Sequence, residues 1–431
     1  MRDGHPSLET LAHWLAGELE HEQVRRELAP HFLEACPICR TLRDEIERLL
    51  EESGHWNESV AVLESREAPA LLGLLGGGSH GERMRRAEEI QELHTWGVCQ
   101  LLLRQVREQV FSDPARAVEM AQLAVRLSGH LGAAYDPDWV MDLRARAHAH
   151  LGNAHRVLGE LKAAEGAFLL AAECLEKGGT GDPRILAEIL SLETSLRLDQ
   201  RRLEEALALV DRVIDLNRET AHRAELGKAL LKKGKILQES GDLSGAIEAV
   251  QHSLLELADV RQTRLFAYAF HNLFYFLTLA GRFEEAQSML PEVHDLLGTA
   301  GEPLDLLRLR WTEGILAHGL GQTEEAEEAY RTVQREFLRL GKGLDAALVS
   351  LNLAVLLWEQ GRTDELKEIA AEMMLAFESR EVYREALAAL ALFQRACAEE
   401  RVTEDLIRHV ASASACGGGA SGLPRQREPR T

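Results

Sequence analysis

The stretches GKILQESGDLSGAIEAV at 234–250, FYFLTLAGRFEEAQSML at 274–290 and GILAHGLGQTEEAEEAY at 314–330 are three copies of one pattern. Gly241, Gly281, Gly321 and Gly361 fall 40 residues apart, and Gly159 and Arg201 hold the same phase upstream. Five residues after these positions stand Ala164, Ala206, Ala246, Ala286, Ala326 and Leu366. Four further on stand Phe168, Val210, Val250, Leu290, Tyr330 and Ala370. A degenerate earlier copy centres on Asp113-Pro114-Ala115-Arg116-Ala117. A glycine at a helix end supplies the left-handed C-cap, and a small residue lets the next helix pack closely. One such pair cannot bury its apolar face alone, so neighbouring pairs must stack.

The pattern resembles the tetratricopeptide repeat over roughly residues 90–400. Leu151-Gly152, Gly159, Ala164, Phe168 and Ala171 match its motif positions. So do Gly234, Gly241, Ala246 and Val250, and then Gly314, Gly321, Ala326 and Tyr330. The period departs from the family's about 34 residues, and the copy around Leu366 lacks the alanine. The resemblance implies an all-α, right-handed superhelix of about seven tetratricopeptide-like helix pairs with the first helices lining a concave groove. Carried onto this sequence, the groove positions are Arg146, Asn153 and Arg156, then Glu188, then Lys228, Lys235 and Gln238. Tyr268, His271 and Tyr275 follow, then Arg308, Trp311 and His318. Five of these are cationic and one is anionic, in a chain of formal net charge -21. That contrast predicts capture of an acidic peptide segment of a protein partner.

Composition bounds the remaining readings. Apolar residues make up 45% and charged residues 28% of the 431, ordinary for a folded soluble chain. The negative charge disfavours nucleic acid as a partner. No apolar segment follows Met1-Arg2-Asp3-Gly4-His5, which predicts no signal peptide. The longest apolar stretch, from Phe266 to Gly281, is broken by His271, Asn272 and Thr278, so no membrane span is expected. Cys99, Cys174, Cys397 and Cys416 are scattered, which is not a disulfide framework and predicts a reducing, cytoplasmic setting.

The first 50 residues read differently. His5 and His31 precede Cys36-Pro37-Ile38-Cys39, and two imidazoles with two thiolates suit tetrahedral zinc. Pro37 suits the first turn of a helix, which would place Cys36 and Cys39 together near its positive end. His13 and His21 are rival first ligands. A metal-free redox pair or plain helix-packing residues are the other readings of Cys36 and Cys39.

This segment resembles the zinc-binding anti-sigma-factor module, with four residues rather than three between His31 and Cys36. The resemblance implies His5, His31, Cys36 and Cys39 as ligands of one structural zinc, and a sigma factor as the module's partner. All four positions would be filled by protein, which leaves no open site for catalysis.

No phosphate-binding glycine loop and no nucleophile elbow is present, so no catalytic residue is expected. The expected organisation is a zinc-finger module at 1–52, a linker at 53–80, a repeat array with a capping helix at 81–414, and a disordered tail at 415–431. The expected function is a protein–protein interaction adaptor in signalling or transcription regulation. The alternative is an assembly scaffold whose N-terminal module is only a cap.

Overall fold

The glycine register becomes a register of helix ends. The backbone at Gly159, Gly241, Gly281, Gly321 and Gly361 is left-handed, with φ between 69° and 92°. Arg201 holds the sixth position at φ 60°. At Gly241 the turn closes by two bonds: the Gly241 amide donates to the Gln238 carbonyl at 3.0 Å, and the Asp242 amide donates to the Leu237 carbonyl at 2.9 Å. This Schellman closure satisfies carbonyls that the ending helix leaves free.

The computed structural model describes residues 56–378, apart from 133, 134 and 262. The described residues form α-helices and short 3-10 turns, with no strand among them. Helices α1 (Trp56–Leu72) and α2 (His80–Glu89) lead into the repeats. Pairs follow: α3 (Trp96–Gln109) with α4 (Pro114–Ser128), α5 (Pro137–Leu158) with α6 (Leu161–Lys177), and α7 (Pro183–Asp199) with α8 (Leu203–Glu219). Next come α9 (Arg223–Glu239) with α10 (Leu243–Glu256), and α11 (Arg264–Leu279) with α12 (Phe283–Ala300). Then α13 (Pro303–Gly319) pairs with α14 (Thr323–Arg339), and α15 (Gly343–Glu359) with α16 (Thr363–Glu378). The zinc-module residues His5, His31, Cys36 and Cys39 lie outside the described residues, as do the capping helix and tail expected beyond 378.

The chain divides into two compact units, Met1–Leu196 and Arg197–Thr431. In the first, Leu93, Leu102, Leu103, Val106, Leu127 and Leu143 share a buried cluster with Ala68, Leu71 and Leu75. The last three all come from the 53–80 segment, expected from sequence to be a linker. Their burial makes α1 a packed layer on α3. Glu64 fixes the contact: it accepts from the Gly97 amide at 3.0 Å and from the Tyr135 hydroxyl at 2.5 Å. A carboxylate at the N-terminus of α3 also complements the helix dipole.

In the second unit the small positions do what their spacing predicts. Ala206, Ala246, Ala286 and Ala326 are wholly buried. A methyl group added at Gly314 would lie 2.9 Å from the ring of Tyr330, so α13 and α14 approach through that glycine. Adjacent first helices also touch one another: α11 meets α13 and α13 meets α15, while α3 meets α5 in the first unit. The first helices of each unit therefore share a layer.

The turns carry a stability prediction. Ala221 adopts φ 51° in the same closure that glycine makes at 341. Left-handed backbone costs an L-residue roughly 1–2 kcal/mol, offset in part by the greater unfolded freedom of glycine. Ala221→Gly is expected to raise stability by about 0.5–1 kcal/mol, and Gly321→Ala to lower it by about 1 kcal/mol. Urea midpoints that do not move in these opposite directions would count against this account of the turns.

Candidate functional site

The first helices carry a different charge from the second. Across α3, α5, α7, α9, α11, α13 and α15 there are fifteen Lys and Arg against twelve Asp and Glu. Across the second helices, α4, α6, α8, α10, α12, α14 and α16, ten face twenty-five. Among the described repeat helices, acidic charge is thus concentrated on the second helices, and the first helices are mildly cationic.

In the first unit, three helices meet at Glu188 on α7. Its Oε2 accepts from Arg146 Nε at 2.8 Å, and its Oε1 accepts from His150 Nε2 at 2.8 Å. Arg107 of α3 donates to Oε1 at 3.3 Å. Burial opposes charge on Glu188, but the His150 hydrogen bond and the Arg146 charge outweigh it and hold the carboxyl well below the usual carboxylate range. Burial pushes the His150 imidazole down, so it is neutral near pH 7. The expected groove residue Arg146 is therefore engaged within the chain, by another residue of the expected set. Asn153 is buried, and its side-chain oxygen accepts from Arg156 Nε at 3.1 Å.

In the second unit, Lys228 is exposed on α9 and pairs with Glu225 one turn back at 2.6 Å. Lys235 lies two turns further along the same helix face, half-buried, with no ion pair among the described residues. Tyr268 is exposed. Tyr275 is half-buried, and burial pushes its phenol up; its hydroxyl has no hydrogen-bond partner in the structure. His271 is buried and shares a hydrogen bond with the Thr312 hydroxyl at 3.2 Å. Trp311 is buried in the core cluster and donates from Nε1 to Asn352 at 2.8 Å. Arg308 is half-buried close to His271, Asp305 and Asp345. His318 shares a hydrogen bond with Glu359 at 2.8 Å.

These contacts have a common spacing that the sequence reading missed. His271 reaches Thr312, Trp311 reaches Asn352, His318 reaches Glu359 and Arg264 reaches Asp305, each 41 positions on. Each joins a first helix to the next first helix. Complementary polar residues one repeat and one position apart were the available signal, and they would also have pointed to Thr312 and Asn352.

His271 yields a pH prediction. Burial, then the nearby Arg308 charge, lower its pKa from 6.5 to about 4. The unfolded chain takes up this proton near 6.5, whereas the folded chain resists until about 4. The stability this group contributes is thus complete above 6.5 and is lost as pH falls toward 4, by up to about 3 kcal/mol. His271→Gln should lose less stability than wild type over that window. Parallel losses in urea titrations of both proteins would remove His271 from the explanation.

Among the described residues, no group of three or more His, Cys, Asp or Glu could hold a metal ion. Nor is any described helix long and apolar enough to cross a membrane.

No protein-family model matches the chain, and no curated protein matches it. Solved structures do. A Rap protein complexed with competence and sporulation factor is 12% identical, with a TM-score of 0.53 over 74% of this chain and 90% of that one. Aspartyl phosphate phosphatase F from Bacillus subtilis is 12% identical, with a TM-score of 0.53 over 89% and 95% of the two chains. At this identity the likeness speaks to fold alone, and it agrees with the turns and pairings above. The chain has a tetratricopeptide-type helical-repeat fold.

Proposed function

We propose that this chain is a cytoplasmic regulatory adaptor, without catalysis of its own, whose first-helix layers capture acidic segments of a protein partner. The observation that carries this reading is the division of charge between first and second helices. A solubilising surface would not need to sort its charge by helix, whereas a binding layer opposite in sign to the rest of the molecule steers and selects an acidic partner. Tyr268, exposed on the first helix α11, adds flat apolar area, which favours a segment with some aromatic or aliphatic side chains.

The test is a titration, read by fluorescence anisotropy, of a labelled peptide rich in Glu, Leu and Tyr, with a Lys-for-Glu counterpart. The acidic peptide is expected to bind at least about tenfold more tightly, a difference of about 1.4 kcal/mol, and to weaken as salt is added. Equal binding of the two peptides would sink the reading.

The N-terminal module enters as a separate proposal resting on its sequence. His5, His31, Cys36 and Cys39 would hold one zinc ion, and residues 1–52 would bind a helical transcription-factor partner of the sigma-factor kind. So small a module has little core, so the metal would supply much of its folding free energy. Elemental analysis is expected to find one zinc per chain, lost in Cys36→Ser with Cys39→Ser. Well under half an equivalent after expression with zinc supplied would refute it.

A further inference from the structure

The convergence on Glu188 has the form of an anion site that the chain itself fills. Arg107 from α3, and Arg146 and His150 from α5, direct three donors at one carboxylate. Gln100 backs the arrangement. With its amide oriented by its neighbours, its oxygen accepts from Arg146 Nη1 at 2.9 Å and from Trp96 Nε1 at 3.2 Å. Two guanidinium groups face a single carboxylate, with His150 neutral, so the site keeps a surplus positive charge. One polar atom is also left over: His150 is 2% exposed, and its Nδ1 has no hydrogen-bond partner in the structure.

The site is graded from closed to open. His150 and Arg146 form its floor, while the side chains of Glu188 and Arg107 are 28% and 45% exposed. The occupant and one of its cations therefore reach solvent, which is what exchange of one carboxylate for another requires.

We infer that this cluster is a carboxylate-binding subsite of the first unit's first-helix layer, and that Glu188 is its internal occupant. A carboxylate of an acidic partner segment enters by displacing Glu188. This rests on the adaptor reading above and deepens it by placing one subsite and one regulating residue. A group tethered within the same fold competes at an effective concentration in the millimolar range or above. A lone free carboxylate thus loses to Glu188, and a segment anchored elsewhere on the layer can win. The apparent affinity is the intrinsic affinity reduced by the fraction of molecules in which Glu188 has vacated the cations.

The experiment uses the full chain and fluorescein-labelled hexaglutamate at low salt. Glu188→Gln keeps the size of the side chain and removes its charge, and Glu188→Ala removes the occupant altogether. Both variants are expected to bind hexaglutamate at least about tenfold more tightly than wild type, and Arg146→Gln added to either is expected to cancel the gain. Circular dichroism confirms that each remains helical. If wild type binds and Lys228→Glu with Lys235→Glu weakens it, yet neither Glu188 variant with native helicity tightens it, the occupant role falls and the adaptor reading stands. If wild type and all variants fail to bind the peptide, both fall.

Discussion

Tyr330→Ala is expected to lower the unfolding free energy by about 3–5 kcal/mol, the range for removing a fully buried aromatic ring. Tyr330 is wholly buried, its ring lies over Gly314 of α13, and it meets the His318 ring edge-on at 6.5 Å between centroids. Little can collapse into the space it would leave, because α13 and α14 already touch through the glycine. The paired expectation is sharper. The Tyr330 hydroxyl is buried with no hydrogen-bond partner, so Tyr330→Phe removes an unmatched polar atom and keeps the ring. That substitution is expected to be neutral or to stabilise by about 1 kcal/mol. Urea denaturation of the two variants decides it. If phenylalanine costs as much as alanine, the hydroxyl has a role that this packing account omits.

The second large effect is on binding. Lys228 and Lys235 lie seven residues apart on α9, hence on one helix face. Lys235 has no ion pair among the described residues, and Lys228 has only an exposed pair with Glu225. Exposed pairs of this kind contribute under about 1 kcal/mol, so reversal should leave the fold intact. Lys228→Glu with Lys235→Glu is expected to weaken the acidic peptide more than about tenfold. Glu204→Lys with Glu205→Lys, on the second helix α8, is expected to leave its binding within about twofold, because those residues stand on the other layer. Equal losses from both pairs would mean that net charge, and not the first-helix layer, governs capture.

Much of the repeat was legible because its determinants are local. A left-handed turn demands glycine or tolerates a rare exception, so the interval from Gly241 to Gly361 announces helix ends directly. The buried alanines follow from the same register. What the sequence could not place was the partner surface of each first helix. Trp311 stands at a position the family uses for its groove, but the next first helix covers it, and Asn352 takes its indole N–H. A helical period says that a residue faces inward, and it does not say whether the neighbour one repeat on will close over it. Arg146 shows the same limit from the other side. Its cationic charge was legible, but its engagement with Glu188 depends on contacts between helices 42 positions apart.

The start of the array was hidden for another reason. Helix α1 contains Pro69 and several charged residues, and it has little amphipathic contrast to mark it as packed. Its burial rests on a few small and apolar positions, with Glu64 bridging to Gly97 and Tyr135. Those partners lie 33 and 71 positions away, beyond any local pattern.

The central claim is that an acidic partner lies on the first helices. Lysine acetylation footprinting tests it most directly, because the chain carries reporters on first and on second helices. Lys228 and Lys235 are on the first helix α9, and Lys162, Lys177 and Lys367 are on the second helices α6 and α16. With the acidic peptide at saturation, mass spectrometry is expected to show acetylation of Lys228 and Lys235 slowed at least about fivefold, and that of Lys162, Lys177 and Lys367 unchanged. Protection confined to Lys162, Lys177 and Lys367, or spread evenly over all five, would contradict it.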